Sequence, residues 1–196
     1  GIHIFSMGAD YIPEDCIYPW ITKERIEALI RSSVKANYNM LRVWGGGYYP
    51  SDTFYDLFFV CTMIEYVSRT THNRSRDVVA RMSDEELMHQ LRVANVNHCL
   101  SFEQVCDEWI EQFDIKEGNF DNISSCKYKV PAVTSIGKVF QRLILSVHKE
   151  DINLIEDIRK VYNSFISDEI SDYNSSLYCS NPDYIKCSYE AGTILA

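Results

Sequence analysis

The chain has 196 residues and a formal net charge of −9. This charge argues against nonspecific nucleic-acid binding, which needs a cationic surface. The composition, 46% hydrophobic and 24% charged, is typical of a folded globular protein. No stretch approaches the roughly 20 apolar residues of a membrane helix, so we expect neither a nucleic-acid nor a membrane partner.

The first part of the chain predicts a strand, a helix and a second strand. Residues 2–5 form a short strand-like segment, which the Ile12-Pro13 turn follows. Residues 22–36 predict a helix, because their apolar side chains recur at helical spacing. Asn37 or Asn39 is expected to end that helix in the left-handed conformation. Residues 40–44 predict the second strand, which three glycines interrupt.

A strand, a crossover helix and a strand form the repeating unit of parallel α/β folds. The sequence therefore predicts a β-α-β piece of a TIM-type barrel at the start of the chain. In such barrels the functional residues follow the strands on one face. Asp10 and Tyr11 follow the first predicted strand, and Arg42 and Trp44 close the second. We expect these four residues to face the same mouth.

The rest of the chain predicts helices and almost no strand. Ser51 is a candidate cap for a helix that carries Phe54, Tyr55 and Phe58. Ser83, with Glu86 three residues later, matches a capping box. Further helices are predicted over residues 102–113, 133–148 and 152–173, and a last one starts at Asn181-Pro182.

These elements predict that the chain is predominantly helical and consists of three regions. Residues 1–66 are expected to be a partial β/α barrel segment, and residues 67–81 a linker, because residues 69–81 are polar and basic. Residues 82–196 are expected to be an all-α helical domain that folds independently.

Two motifs resemble the start of the catalytic barrel of family 2 β-mannosidases. Residues 8–13 read Gly-Ala-Asp-Tyr-Ile-Pro, with Tyr11 where the family usually has Trp. Residues 37–47 read Asn-Tyr-Asn-Met-Leu-Arg-Val-Trp-Gly-Gly-Gly, which is the more specific match. The spacing between the motifs also fits, and the resemblance covers about residues 1–57.

The resemblance implies removal of terminal β-linked mannose with retention, by two carboxylates that flank the scissile bond. It implies substrate binding by Asp10, whose carboxylate would contact mannose hydroxyls, and by Arg42 and Trp44, which would shape the pocket. Tyr11 would keep a ring in the pocket wall. A purely structural interpretation stays open: Arg42 pairs with Asp10 or Asp15, Trp44 is a core residue, and the glycines permit a tight turn.

The resemblance stops near Leu57, before the catalytic residues. The family's acid/base lies in an Asn-Glu pair after a later strand, and this chain contains no Asn-Glu dipeptide. We therefore assign no catalytic residue. The sequence predicts a truncated or fused β-mannosidase-like fragment that is inactive alone. The alternative is a small helical interaction module whose function and unknown protein partner belong to residues 82–196.

The cysteines and histidines predict neither a disulfide framework nor a metal site. Seven cysteines at irregular spacing favour buried free thiols. His89, His98, Cys99 and Cys106 lack the spacing of zinc ligands. No phosphate-binding or dinucleotide motif appears, so we expect no cofactor.

Overall fold

A computed structural model describes residues 8–11, 23–43, 52–149 and 153–195. The chain divides into two compact units, residues 1–51 and residues 52–196. We call them the N-terminal unit and the helical unit.

The N-terminal unit contains a strand pair joined by one helix. Strands β1 (Gly8–Tyr11) and β2 (Met40–Val43) pair in parallel, and helix α1 (Lys23–Lys35) connects them. Asn37 has a φ of 60°, so it ends the helical segment in the left-handed conformation, as predicted. The strand predicted over residues 2–5 lies outside the described residues.

The predicted fold class, a piece of a TIM-type barrel followed by helices, is wrong. Helices dominate the described ranges, and β1 and β2 are the only strands there. These two strands of four residues hydrogen-bond to each other and to no further strand in the described part. A barrel requires eight strands in a closed sheet, so this local pairing does not form one.

The helical unit contains eight α-helices in its described residues. They are α2 (Asp52–Thr70), α3 (Ser75–Ala80), α4 (Asp84–Asn97), α5 (Phe102–Gln112), α6 (Val133–Val147), α7 (Leu154–Tyr162), α8 (Phe165–Ser171) and α9 (Pro182–Ala191). A short 3₁₀ turn, Leu177–Cys179, precedes α9. None of the helices described combines the length and apolar character needed to cross a membrane.

Helix α2 is the centre of this unit. It packs most extensively against α6 and next against α4, and it also contacts α3 and α5. Its residues 57–64 are apolar nearly all round the helix, which is typical of a helix surrounded by others. At Gly137 of α6, an added Cβ would lie 2.7 Å from Cα of Thr62. The absence of a side chain there lets α6 approach the α2 backbone closely.

The structural division also differs from the predicted domain boundaries. The units separate at Ser51/Asp52, so residues 52–81 belong with the helices that follow. The predicted linker, residues 67–81, contains the end of α2 and all of α3. Val78 and Val79 of α3 are fully buried, which explains why this polar stretch does not behave as a linker.

Local helix signals agree with the structure at several positions. The Ser83 side chain accepts a hydrogen bond from the Glu86 backbone N–H, and Glu86 accepts one from Ser83, which completes the predicted capping box. Pro182 begins α9 as predicted. The single helix predicted over residues 152–173 is wrong, because the chain breaks between α7 and α8 at Asn163 and Ser164.

Candidate functional site

The strand pair brings two predicted sugar-binding positions together. In the register of β1 and β2, Asp10 lies opposite Arg42 and Tyr11 lies opposite Val43. Paired strands lie about 4.8 Å apart, so the backbones of Asp10 and Arg42 are neighbours. The side chains of Asp10, Tyr11 and Arg42 lie outside what the structure describes, as does the whole of Trp44.

Gly8 permits the close approach of the two strands. A Cβ built on Gly8 would lie 2.0 Å from the carbonyl oxygen of Met40, its partner on β2. No side chain fits at that distance, so glycine is required there for steric reasons. The glycine of the first mannosidase-like motif therefore has a structural function in the pairing.

A buried polar cluster lies in the helical unit and was not predicted. It consists of Glu65, Arg69, Ser75 and Tyr173, which we call the Glu65 cluster. The Glu65 carboxylate is almost fully buried and accepts hydrogen bonds from Arg69 Nε at 2.7 Å, Ser75 Oγ at 3.2 Å and the Tyr173 hydroxyl. Burial, together with the nearby Glu65 charge, raises the pKa of Tyr173 well above its usual range. The phenol therefore stays protonated and donates to Glu65.

The Glu65 cluster is suited to holding helices together. Arg69 also donates from Nη1 to the Pro131 carbonyl at 2.9 Å, and its guanidinium carbon lies 4.8 Å from the centre of the Tyr173 ring. The cluster thus connects α2 and α3 with the loop before α6, which contains Pro131. It also connects them with Tyr173, which lies two residues after the end of α8. A buried carboxylate engaged by three donors has little capacity left for a substrate.

The cysteines that the structure describes differ in burial. Burial raises the pKa of the Cys61 thiol to about 12, and it also raises the pKa of Cys106. A thiol with such a pKa is a poor nucleophile at neutral pH. The prediction of buried thiols is thus confirmed for Cys61 and Cys106 and wrong for Cys99, Cys179 and Cys187, which are exposed.

The histidines and cysteines that were considered as zinc ligands do not lie together in the described part of the structure. The His98 and Cys99 side chains lie 3.7 Å apart on the surface, whereas Cys106 is buried in α5. Across the described ranges, no group of three or more histidine, cysteine or acidic side chains is arranged to hold a metal ion.

A histidine–aspartate pair borders an open groove of the helical unit. His148 Nδ1 lies 2.7 Å from Asp157 Oδ2, and the Asp157 carboxylate is almost fully buried. The imidazole is partly exposed and lines a groove of about 390 Å³ between α2, α4 and the start of α7. No local sequence pattern predicts this pair, because His148 follows α6 and Asp157 lies within α7.

Comparison with known proteins finds similarity to beta-mannosidases over a short stretch. Beta-mannosidases from Rattus norvegicus and Mus musculus are each 47% identical to this chain over 57 residues. Beta-mannosidase A from Emericella nidulans is 39% identical over 57 residues. In each case the match covers 29% of this chain and 6% of the relative. The chain thus spans about 6% of the length of these relatives.

No protein-family model matches the chain, and no solved structure matches it. The chain therefore carries a beta-mannosidase-like segment, and the similarity leaves most of its residues uncovered.

Proposed function

We propose that this chain is a truncated or fused β-mannosidase-like protein that does not hydrolyse β-mannosides by itself. The observation that carries the proposal is the extent of the similarity, which is 47% identity over 57 residues but only 6% of the relative's length. So short a segment supplies a small part of a complete glycosidase.

The chemistry of retaining hydrolysis supports inactivity. Such enzymes hold two carboxyl groups about 5–5.5 Å apart, one as acid/base and one as nucleophile. By resemblance, the acid/base would lie in an Asn-Glu pair that this chain does not contain. Groups that only bind and orient the sugar do not replace a missing nucleophile.

We also propose that Asp10, Tyr11, Arg42 and Trp44 are the sugar-contacting positions of the segment. The adjacency of Asp10 and Arg42 on paired strands supports this assignment, because both belong to the mannosidase-like motifs. The proposed ligand is a β-linked mannose residue, whose hydroxyls suit a carboxylate and a guanidinium.

An activity assay tests the proposal. The purified full chain is incubated with a chromogenic β-mannoside beside a β-mannosidase that retains both glutamates. We expect no turnover above background from this chain. Turnover that disappears on Asp10→Ala or Glu14→Ala would contradict the proposal, because it would show a working site within these residues.

A second candidate function belongs to the helical unit. Every buried hydrophobic residue of the described core lies between Leu57 and Ile185, so this unit has its own core. Residues 52–196 contain 23 acidic and 14 basic residues, whereas residues 1–51 contain five of each. The net charge of the chain therefore belongs to the helical unit, which argues against polyanionic partners for that unit.

A binding experiment separates the two candidates. Residues 52–196 and the full chain are compared as immobilised baits for β-mannose-terminated oligosaccharides. Retention of these sugars by the full chain alone supports the mannosidase-like segment as the sugar-contacting part. Equal retention by both baits would contradict that assignment.

A further inference from the structure

We propose that a pocket between α6 and α9 is a binding site for a small aromatic carboxylate. The pocket has a volume of about 150 Å³ and lies where α6, the 3₁₀ turn Leu177–Cys179 and the start of α9 meet. Its lining residues in the described part of the chain fall between Val139 and Ile185. The site therefore lies outside the mannosidase-like segment, and the proposal does not depend on the function proposed for that segment.

The floor of the pocket is apolar and held in place by neighbouring side chains. Leu143 of α6 and Ile185 of α9 line the pocket and are each only 3% exposed. Tyr178 forms one wall, and its ring packs edge to face on the buried Tyr173, with 6.1 Å between the ring centres. An apolar cavity of roughly 150 Å³ holds one benzene ring. The floor therefore suits a ligand with a single six-membered aromatic ring.

The rim of the pocket carries a positive charge. Arg142 of α6 lines the pocket and is exposed. Its guanidinium makes no hydrogen bond or ion pair with the described residues, so its donors are available to a ligand. Among those residues, no acidic side chain lines the pocket. Because a guanidinium binds a carboxylate with two parallel hydrogen bonds, the rim favours an anion over a neutral molecule or a cation.

The separation of floor and rim determines how the ligand lies. The aromatic ring contacts Leu143 and Ile185, and the carboxylate stays at the rim beside Arg142. A carboxylate pushed into the apolar floor would lose its hydration without gaining a partner. At the rim it keeps contact with water on one side and binds the guanidinium on the other.

A thiol in the lining provides a direct measurement of occupancy. Cys179 lines the pocket and is exposed. The full chain is alkylated with iodoacetamide in the presence of benzoate, and peptide mass spectrometry gives the rate at each cysteine. Bound benzoate covers Cys179, so we expect a saturable slowing of its alkylation. Cys99 is exposed and does not line the pocket, so its rate is the internal control and should not change.

Three further probes separate the two features of the ligand. Benzyl alcohol keeps the ring without the charge, acetate keeps the charge without the ring, and benzylamine replaces the negative charge by a positive one. Each should protect Cys179 at least tenfold more weakly than benzoate. Equal protection by benzyl alcohol would show that the pocket does not select an anion.

Substitutions at the rim complete the test. Arg142→Gln should weaken protection by benzoate about tenfold, the loss expected for one charge-assisted interaction. Arg142→Lys keeps the positive charge and should lose less. Arg81→Gln removes an exposed arginine that does not line this pocket, so it should leave the affinity unchanged. The proposal is overturned if benzoate does not protect Cys179, if it slows Cys99 equally, or if Arg142→Gln is protected as well as the unmodified chain.

Discussion

The N-terminal unit and the helical unit differ in their similarity to known proteins and in the size of their cores. The N-terminal unit carries the motifs shared with β-mannosidases, but its described core is small: Ile30 and Val34 of α1 and Met40 of β2 are all exposed. The helical unit contains the extensive core built around α2, yet no family model or solved structure matches the chain. The similarity to β-mannosidases and the extensive core thus lie largely in different parts of this chain.

This difference follows from how each kind of fold is stabilised. A β-α-β element buries its apolar faces only when neighbouring strands and helices cover them. A helix cluster such as α2 with α4 and α6 covers its own apolar surfaces. We therefore expect the stability of the chain to depend on the helical unit, and four experiments test that expectation.

The largest expected effect comes from the position of a truncation. Residues 52–196 should fold alone, whereas residues 82–196 should not, because α2 supplies Leu57, Val60, Met63 and Ile64, all fully buried. Burial of these side chains contributes roughly 1.5–3 kcal/mol each, which together approaches the whole stability of a typical domain. Far-ultraviolet circular dichroism and urea unfolding of both fragments measure the difference.

This expectation replaces the one drawn from the sequence, in which residues 82–196 formed the independent domain. A cooperative unfolding transition from residues 82–196 alone would show that α2 is dispensable. The full chain is the control, and residues 52–196 should match its helical signal apart from the contribution of α1.

Structural features that depend on a few adjacent residues are predicted correctly from the sequence. The capping box at Ser83 and Glu86, the left-handed Asn37 and the proline at the start of α9 each depend on a few adjacent residues. In each of these cases a short segment contains all the information that the local structure needs. The first strand was not located in this way: Asp10, expected after a strand at residues 2–5, lies within β1, opposite Arg42.

Structural features that depend on residues far apart in the chain are not predicted from the sequence. The apolar run in α2 lacks the one-sided pattern of a surface helix, so its central position was not evident. Tyr173 donates a hydrogen bond to Glu65, which lies 108 residues earlier in the chain. No local sequence pattern indicates such a contact. The break between α7 and α8 was hidden because both helices bury apolar residues, which keeps the periodicity nearly continuous.

The second prediction removes the centre of the Glu65 cluster. Glu65→Ala should lower the free energy of unfolding by about 3–5 kcal/mol, because it leaves Arg69 without its buried counter-charge and Tyr173 without its acceptor. Urea unfolding of the full chain measures this loss. Glu108→Ala on the exposed face of α5 is the matched control and should change the stability by less than about 0.5 kcal/mol. Equal effects from the two variants would remove the stabilising function assigned to the cluster.

The third prediction compares one glycine from each unit. Gly137→Ala places a Cβ 2.4 Å from Thr62 Oγ1 and 2.7 Å from Thr62 Cα, so we expect a loss of about 1–3 kcal/mol. Helix propensity alone predicts the opposite, an increase of about 1 kcal/mol in the free energy of unfolding. The direction of the measured change therefore shows whether the steric clash with Thr62 or the helix propensity dominates.

Gly8→Ala is the companion variant in the N-terminal unit. Its added Cβ meets the Met40 carbonyl even more closely, at 2.0 Å, and should disrupt the strand pair. We nevertheless expect the main unfolding transition to keep its midpoint, because the core that produces this transition lies in residues 52–196. A loss as large as that of Gly137→Ala would show that the two units unfold together.

The smallest expected effect concerns the start of α4. Ser83→Ala removes the side-chain acceptor for the Glu86 backbone N–H and should lower the free energy of unfolding by about 1 kcal/mol.

The reciprocal bond, from the Ser83 N–H to the Glu86 carboxylate, lowers the pKa of Glu86 below its ordinary value of 4.5. A lowered pKa in the folded state means that this bond stabilises the protein above pH 4.5. That contribution is lost as the pH falls through the lowered value. The unmodified chain should therefore exceed Glu86→Gln in stability at pH 7, and the gap should narrow towards pH 3. Urea unfolding at both pH values measures the gap, and a gap that stays constant would show that the Glu86 carboxylate does not cap α4.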